Sequence, residues 1–325
     1  MSNQLFAYVA NRNDNDVSVI RLSDNSVVDT ITVGNFPEGI AITPNNEFAY
    51  VVNRLGGTVS VIRISDNTVV DTVTVGNSPL RVAITPNGQF AYVTNLNDGT
   101  VSVIRISDNT VVDTVTVGNG PSGVAITPNG QFAYVTNLAD DTVSVIRLSD
   151  NTVVDTITVG DGPTEVAITP NGQFAYVSNV ADDTVSVIRL SDNTVIDTIN
   201  VGDQPVGIAI TPNGQFVYVT NSNDDTVSVI RISDNTVVAT ITVGDQPFGI
   251  AITPNGQFAY VTNFNDDTVS VIQTSDNTVV DTITVGDQPL GIAITPIIQP
   301  IVIPLPILKV TVSNIELTAI VRDIN

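Results

Sequence analysis

Four short apolar runs, each ended by a turn, recur along the chain in the same order every 42 residues. One copy, 174–215, reads FAYVSNVADDTVSVIRLSDNTVIDTINVGDQPVGIAITPNGQ. Val, Ile, Thr, Tyr and Phe dominate the runs QFAYVSN, TVSVIRL, TVIDTINVG and VGIAITP, as expected of strands. The breaks are turn chemistry. TPNG sets Pro at the first central position and Gly where φ is positive, and SDNT and ADD offer Asp and Asn, which tolerate left-handed backbone. GDQP makes the fourth connection. No run shows helical spacing between helix caps.

The copies begin at Phe6, Phe48, Phe90, Phe132, Phe174, Phe216 and Phe258. Four antiparallel strands per unit, repeated seven times, predict an all-β fold, a seven-bladed β-propeller spanning 1–296. A solenoid would need distinct terminal caps, and the first and last copies look like the middle ones. If GIAITP is the innermost strand of a blade, the chain starts at a second strand. Residues 290–296 then close the ring by joining the N-terminal strands in blade 1. After Pro296 the repeat stops. The tail 297–325 is apolar, interrupted by Pro300, Pro304 and Pro306, and too broken for a membrane helix. It is expected to carry one or two strands, ILKVTVS and ELTAIVR. It would dock on the propeller, form the stub of a further domain, or mediate self-association.

Charge narrows the partners. Eleven Lys and Arg stand against 33 Asp and Glu, a net charge of −22, so nucleic acid and anionic membranes are poor partners, and neither nucleic-acid binding nor membrane insertion is expected. With no Cys and no His, there is no disulfide, no thiolate, no imidazole base and no usual zinc ligand. The opening MSNQLFAYVA has neither a basic start nor a long apolar run, so no export leader is expected and a cytoplasmic place stays open.

The motifs YVTN (Tyr92–Asn95), VSVIR followed by SDN, VGxxP and AITPNGQ resemble the YVTN-family β-propellers of surface-layer-like proteins. The resemblance covers 6–296. It implies a non-catalytic binding or scaffold role at the cell surface or in secretion. A propeller is otherwise a platform for many activities.

The copies serve as controls on one another, and their departures cluster in two places. One follows the motif Asn: Arg12, Arg54, Leu96, Leu138, Val180, Ser222 and Phe264. The other flanks the Pro before the inner strand: Phe36 and Glu38, Leu80 and Arg81, Ser122, Thr164 and Glu165, Val206, Phe248 and Leu290. Both belong to the loops of one face, the top, whereas TPNG and SDNT on the opposite face barely change. Variable loops on one face are where repeat folds bind ligands, although drift in loosely packed loops gives the same pattern. Of 10 Phe, the three outside the repeat position, Phe36, Phe248 and Phe264, all fall here, and exposed aromatics anchor interfaces. A basic sector (Arg12, Arg54, Arg81) opposite an apolar one (Val180, Val206, Phe248, Phe264, Leu290) suits a protein, peptide or glycan partner with an acidic end.

Acidic pairs near the same face, including Asp141, Asp183, Asp225 and Asp267, offer oxygen ligands to Ca²⁺. Asp is also a turn former, which explains the same residues without a metal or any cofactor. Arg on the third strand of six copies (Arg21 in the first; Gln273 replaces it in the seventh) is expected to pair with the Asp eight residues on (Asp29; Ala239 in the sixth). For catalysis no nucleophile elbow or phosphate loop is present. The alternative function is therefore a divalent-metal-assisted, lactonase-like hydrolase at the central channel mouth, by analogy with lactone-cleaving propellers.

Overall fold

The computed structural model describes residues 4–297; the tail expectations for 298–325 lie outside the described residues. Among the described residues twenty-eight strands form seven four-stranded antiparallel sheets. Each sheet is one blade. Its first, inner strand is the P-x-x-(I/V)-A-I run, and FAYVTN and TVSVIR follow as second and third strands. The outer strand is TVVDTIT or a close variant. Second and third strands are almost wholly buried, because each blade is covered on both faces by its neighbours. That is why they read as continuous apolar runs rather than alternating ones. The seven cores lie between blades: Tyr8, Val17, Val19 and Ile31 of blade 1 pack on Ala49, Val51 and Ile62 of blade 2.

The ring closes as the repeat phase requires. Blade 1 combines Pro289–Ile294 with Phe6–Asn11, Asp16–Arg21 and Ser26–Thr32. Its first pair runs in the register Ala7↔Ile294, Tyr8↔Ala293 and Val9↔Ile292, with an irregularity before Asn11↔Pro289. The same irregularity follows the Pro in every blade, for example between Pro37 and Ile40.

Turns behave as their chemistry dictates. Gly88 of TPNG sits at φ +67° and donates its N–H to the Thr85 carbonyl (2.8 Å). Where the first copy has NNE, Asn46 adopts φ 58° in its place. The SDN Asn residues are left-handed as well, Asn67 at φ 54°.

The expected Arg21–Asp29 pairing is not formed. Arg21 grips Asp24 in the SDN turn (2.7 Å), and the pattern repeats in five further blades, for example at Arg63–Asp66. The register explains it: Arg21 faces Ser26, whereas Asp29 faces Val19, further along the strand. Asp29 instead accepts from Asn67 Nδ2 of the next blade (2.9 Å), while Asn67 Oδ1 accepts the Tyr8 hydroxyl (2.8 Å). This Tyr–Asn–Asp latch joins blade to blade and also closes the ring, through Tyr260, Asn25 and Asp281. Burial, with the charge of Asp113 adding to it, pushes the Tyr92 hydroxyl up to about 12, so it remains a donor.

Between blades 6 and 7 the latch is incomplete. Tyr218 reaches Asn277 (2.6 Å), but Ala239 stands where the other blades have Asp. Ala239→Asp is expected to complete it and to raise stability by about 1 kcal/mol, a rise of roughly 2 °C in melting temperature. Scanning calorimetry checks this; an unchanged or lower transition would mean that the Asp link adds nothing to the seam.

Candidate functional site

Consecutive residues of each inner strand build the channel in tiers. The first tier, just after the Pro, holds Glu38, Leu80, Ser122, Thr164, Val206, Phe248 and Leu290. The second holds Gly39, Arg81, Gly123, Glu165, Gly207, Gly249 and Gly291. Five of these seven positions are Gly for a steric reason. A Cβ on Gly207, Gly249 or Gly291 would strike the carbonyl oxygen of Phe248, Leu290 or Glu38 on the next inner strand.

Only Arg81 and Glu165 break the glycine tier. Their strands have shifted to admit a side chain. The backbone N–H of Arg81 and of Glu165 reaches the second-strand hydroxyl at 3.1 and 3.2 Å, against 2.7–2.8 Å at Gly123, Gly207 and Gly249. The two side chains meet as an ion pair, 84 residues apart in sequence, through Arg81 Nε and Glu165 Oε1. They are the charged groups lining a channel cavity of about 160 Å³, whose remaining wall is Gly, Val and Ile.

Glu38 lies just above. It is 5% exposed and faces three guanidiniums: Arg54 Nη1 at 3.3 Å, Arg81 Nη1 at 3.7 Å and Arg12 Nε at 3.8 Å. Burial works against the Arg81 charge, but Glu165 and then Glu38 more than offset it, and its pKa is raised. Three guanidiniums against two carboxylates leave one positive charge on a strongly acidic protein. Donors also outnumber acceptors, since a guanidinium carries five N–H groups, and Arg12 Nε is buried without a hydrogen-bond partner.

The supporting residues have changed with the cluster. In the other blades a second-strand Thr, or Ser178 in blade 5, donates to the next first-tier carbonyl, as Thr94 does to Ser122 (2.7 Å) and Thr262 to Leu290 (2.7 Å). Blades 1 and 2 have Ala10 and Val52 at that position. The Leu80 carbonyl accepts instead from Arg81 Nη1 (3.3 Å). Phe36 is left-handed (φ 56°) in a column that uses Gly120 and Gly162 in two copies, a conformation costing a non-glycine residue about 1–2 kcal/mol. Arg12 stacks over its ring, 5.0 Å from the centroid.

The structure places the other expected site residues as follows. Leu80, Val206, Leu290 and Ser222 are buried, filling space between inner strands or beneath the top loops. Leu96, Leu138, Val180 and the three Phe are half-buried rather than freely exposed. Phe248 and Phe264 pack together, centroids 5.4 Å apart. The expected opposition of basic and apolar sectors is corrected by ring closure. Blade 7 carries Phe248 and Phe264, Leu290 shares blade 1 with Arg12, and blade 2 carries Glu38 and Arg54, so the apolar and basic sectors are neighbours.

The Asp candidates for a cation act as backbone clips. Asp141, Asp183, Asp225 and Asp267 each accept the N–H of a residue entering the next blade, at 2.9 Å in each case. The charge of Asp141 and a hydrogen bond to it raise the Asp161 pKa. Among the described residues no group of three or more acidic side chains converges as a cation site. Glu38 and Glu165 are engaged by Arg, so this donor set does not fit a divalent ion at the channel mouth, and no step is derived through one.

Sequence reasoning flagged Arg81 and Glu165 but missed that they pair. The glycine column held the signal: five Gly and two residues of opposite charge at one register position.

A family model described as "Lactonase, 7-bladed beta-propeller" matches residues 69–291. No curated protein matches this chain. Among solved structures, two putative 6-phosphogluconolactonases superimpose with TM-scores of 0.78. The one from Bacteroides fragilis is 19% identical over 90% of this chain and 98% of that one. The one from Bacteroides uniformis is 18% identical over 90% and 100%. Hydrazine synthase of Kuenenia stuttgartiensis matches at 22% identity, over 78% of this chain and 88% of that one, with a TM-score of 0.72. At such identities these structures show the shared fold. The family match, where the YVTN motif had pointed to surface-layer propellers, settles the classification: the chain belongs to the lactonase family of seven-bladed β-propellers.

Proposed function

We propose that the top mouth of the channel binds a small lactone and hydrolyses it without a metal. One observation carries the reading: in a lactonase-family chain, the channel cavity is lined by a single Arg–Glu pair with a surplus of guanidinium donors directly above. This reverses the sequence-based preference for a non-catalytic scaffold, which rested on the YVTN resemblance and on loop variation.

The roles follow from chemistry. Water adds to the acyl carbon while Glu165 accepts its proton, the task of a general base within hydrogen-bond reach. Arg81 faces the oxygen on which negative charge develops, where a preorganised donor in a water-poor cavity acts most strongly. The acyl–oxygen bond of the ring then breaks, and Glu165 returns the proton to the departing ring oxygen. The product is the open hydroxy acid, whose carboxylate meets Arg12 and Arg54.

A panel of γ- and δ-lactones followed by pH-stat titration tests this. Ring opening is expected above the buffer rate, with Glu165→Gln and Arg81→Leu each lowering kcat/KM on the order of a hundredfold while melting curves confirm folding. Equal rates in all three proteins would remove Glu165 and Arg81 from the chemistry. Ligand binding without turnover would return the site to the scaffold reading.

A further inference from the structure

The arc beside the cluster says what else the ligand carries. Inner strands of blades 7, 1 and 2 are consecutive neighbours, as the closeness of Gly249 to Leu290 O and of Gly291 to Glu38 O records. Their first-tier residues, Phe248, Leu290 and Glu38, therefore run side by side from an apolar to a charged environment. Leu290 is buried as the floor between them (3% exposed), and Phe264 extends the apolar end by packing on Phe248. Both Phe remain partly exposed. At the equivalent positions blade 6 has Val206 and Ser222, so two aromatic rings appear together in the blade next to the basic one.

We infer that the site takes an amphiphilic ligand: a carboxylate or lactone head at Arg12, Arg54 and Arg81, with an alkyl or aryl arm lying over Leu290 toward Phe248 and Phe264. This deepens the lactonase reading and rests on it for the identity of the site, though not for turnover. Phe248 and Phe264 are then specificity residues, acting on the arm and not on the reacting atoms. An arm buried on one side gains about two- to fourfold in affinity per methylene. Arms extending the other way, toward blades 3 and 4, would meet Leu96 and Leu138 without an aromatic pair.

Calorimetric titration with butanoate and octanoate separates the terms without relying on hydrolysis. Octanoate is expected to bind the intact protein roughly tenfold or more tighter than butanoate. In Phe248→Ala/Phe264→Ala that preference collapses toward unity while butanoate affinity is retained. The conservative Phe248→Leu/Phe264→Leu variant keeps most of the preference. Equal binding of the two acids by the intact protein, binding of neither, or a preference that survives the Ala substitutions would overturn the inference. Failure of every lactone to turn over, with chain-length preference intact, would sink only the hydrolase reading.

Discussion

Deleting residues 290–296 is expected to abolish the cooperative folded state. The deletion removes the inner strand of blade 1, and every other strand among the described residues is already committed to a blade. Leu290 is 3% exposed, Thr295 is fully buried, and Ile292 and Ile294 pack into the core shared by blades 7 and 1. The Thr295 hydroxyl also accepts the Phe6 N–H (2.9 Å), and its own N–H donates to the Phe6 carbonyl (2.9 Å). Each buried aliphatic side chain stabilises by about 1.5–3 kcal/mol, and the second strand would be left with an unpaired buried edge. That loss is comparable to the whole stability of a domain, about 5–15 kcal/mol. A permuted chain tests closure apart from content. Placing 290–296 before residue 5, joined by an Asn-Gly turn, copies the TPNGQF connection of other blades. The permuted protein should show a cooperative melting transition and the deleted one should not. An unchanged melting curve after deletion would refute ring closure by this strand.

How far the sequence carried this picture depends on range. Strands, turns and blade number are local and repeated, so SDN and the Val-rich runs announced them seven times and TPNG five. Closure by the last inner strand was legible from phase alone, because the first copy opens at FAYVAN with no inner strand before it. What failed was pairing across the fold. Asp29 looked like the partner of Arg21 by proximity along a hairpin, but the strand register aims it at Asn67 of the next blade. Arg81 and Glu165 could be named as departures and not as a pair, since their meeting depends on which inner strands face one another over the channel. The basic and apolar sectors looked opposed on a linear chain. Closing the ring brings the seventh copy beside the first, and that step turned two separated patches into one continuous arc.

Glu38→Leu should be more damaging than its conservative appearance suggests, because Leu already fills the same tier at Leu80 and Leu290. Packing is therefore satisfied, and any loss is electrostatic. Glu38 is the carboxylate shared by Arg12, Arg54 and Arg81. Without it three partly buried guanidiniums face one another, and only Arg81 retains a partner, in Glu165. Breaking a buried charge network by removing one member costs about 3–5 kcal/mol. The guanidiniums keep 20–32% of their side-chain surface in water, so the lower end, about 3 kcal/mol, is expected. The repeat itself supplies the control. Copy four carries Leu138 where the first two carry Arg12 and Arg54, and its blade, with Ser122 and Gly123 in the two tiers, closes without a member of the charge cluster. Arg12→Leu/Glu38→Leu/Arg54→Leu should accordingly recover the stability lost by Glu38→Leu, since replacing a buried ion network with apolar side chains is often neutral or stabilising. The same triple variant should lose affinity for octanoate and butanoate alike. Denaturant titration beside calorimetric binding reads both quantities. A triple variant as unstable as Glu38→Leu would place the cost in packing, and one that still binds carboxylates would take the anion site away from Arg12 and Arg54. Recovery of stability together with loss of binding means that the cluster persists for its ligand, against the simpler apolar filling that the chain itself uses elsewhere.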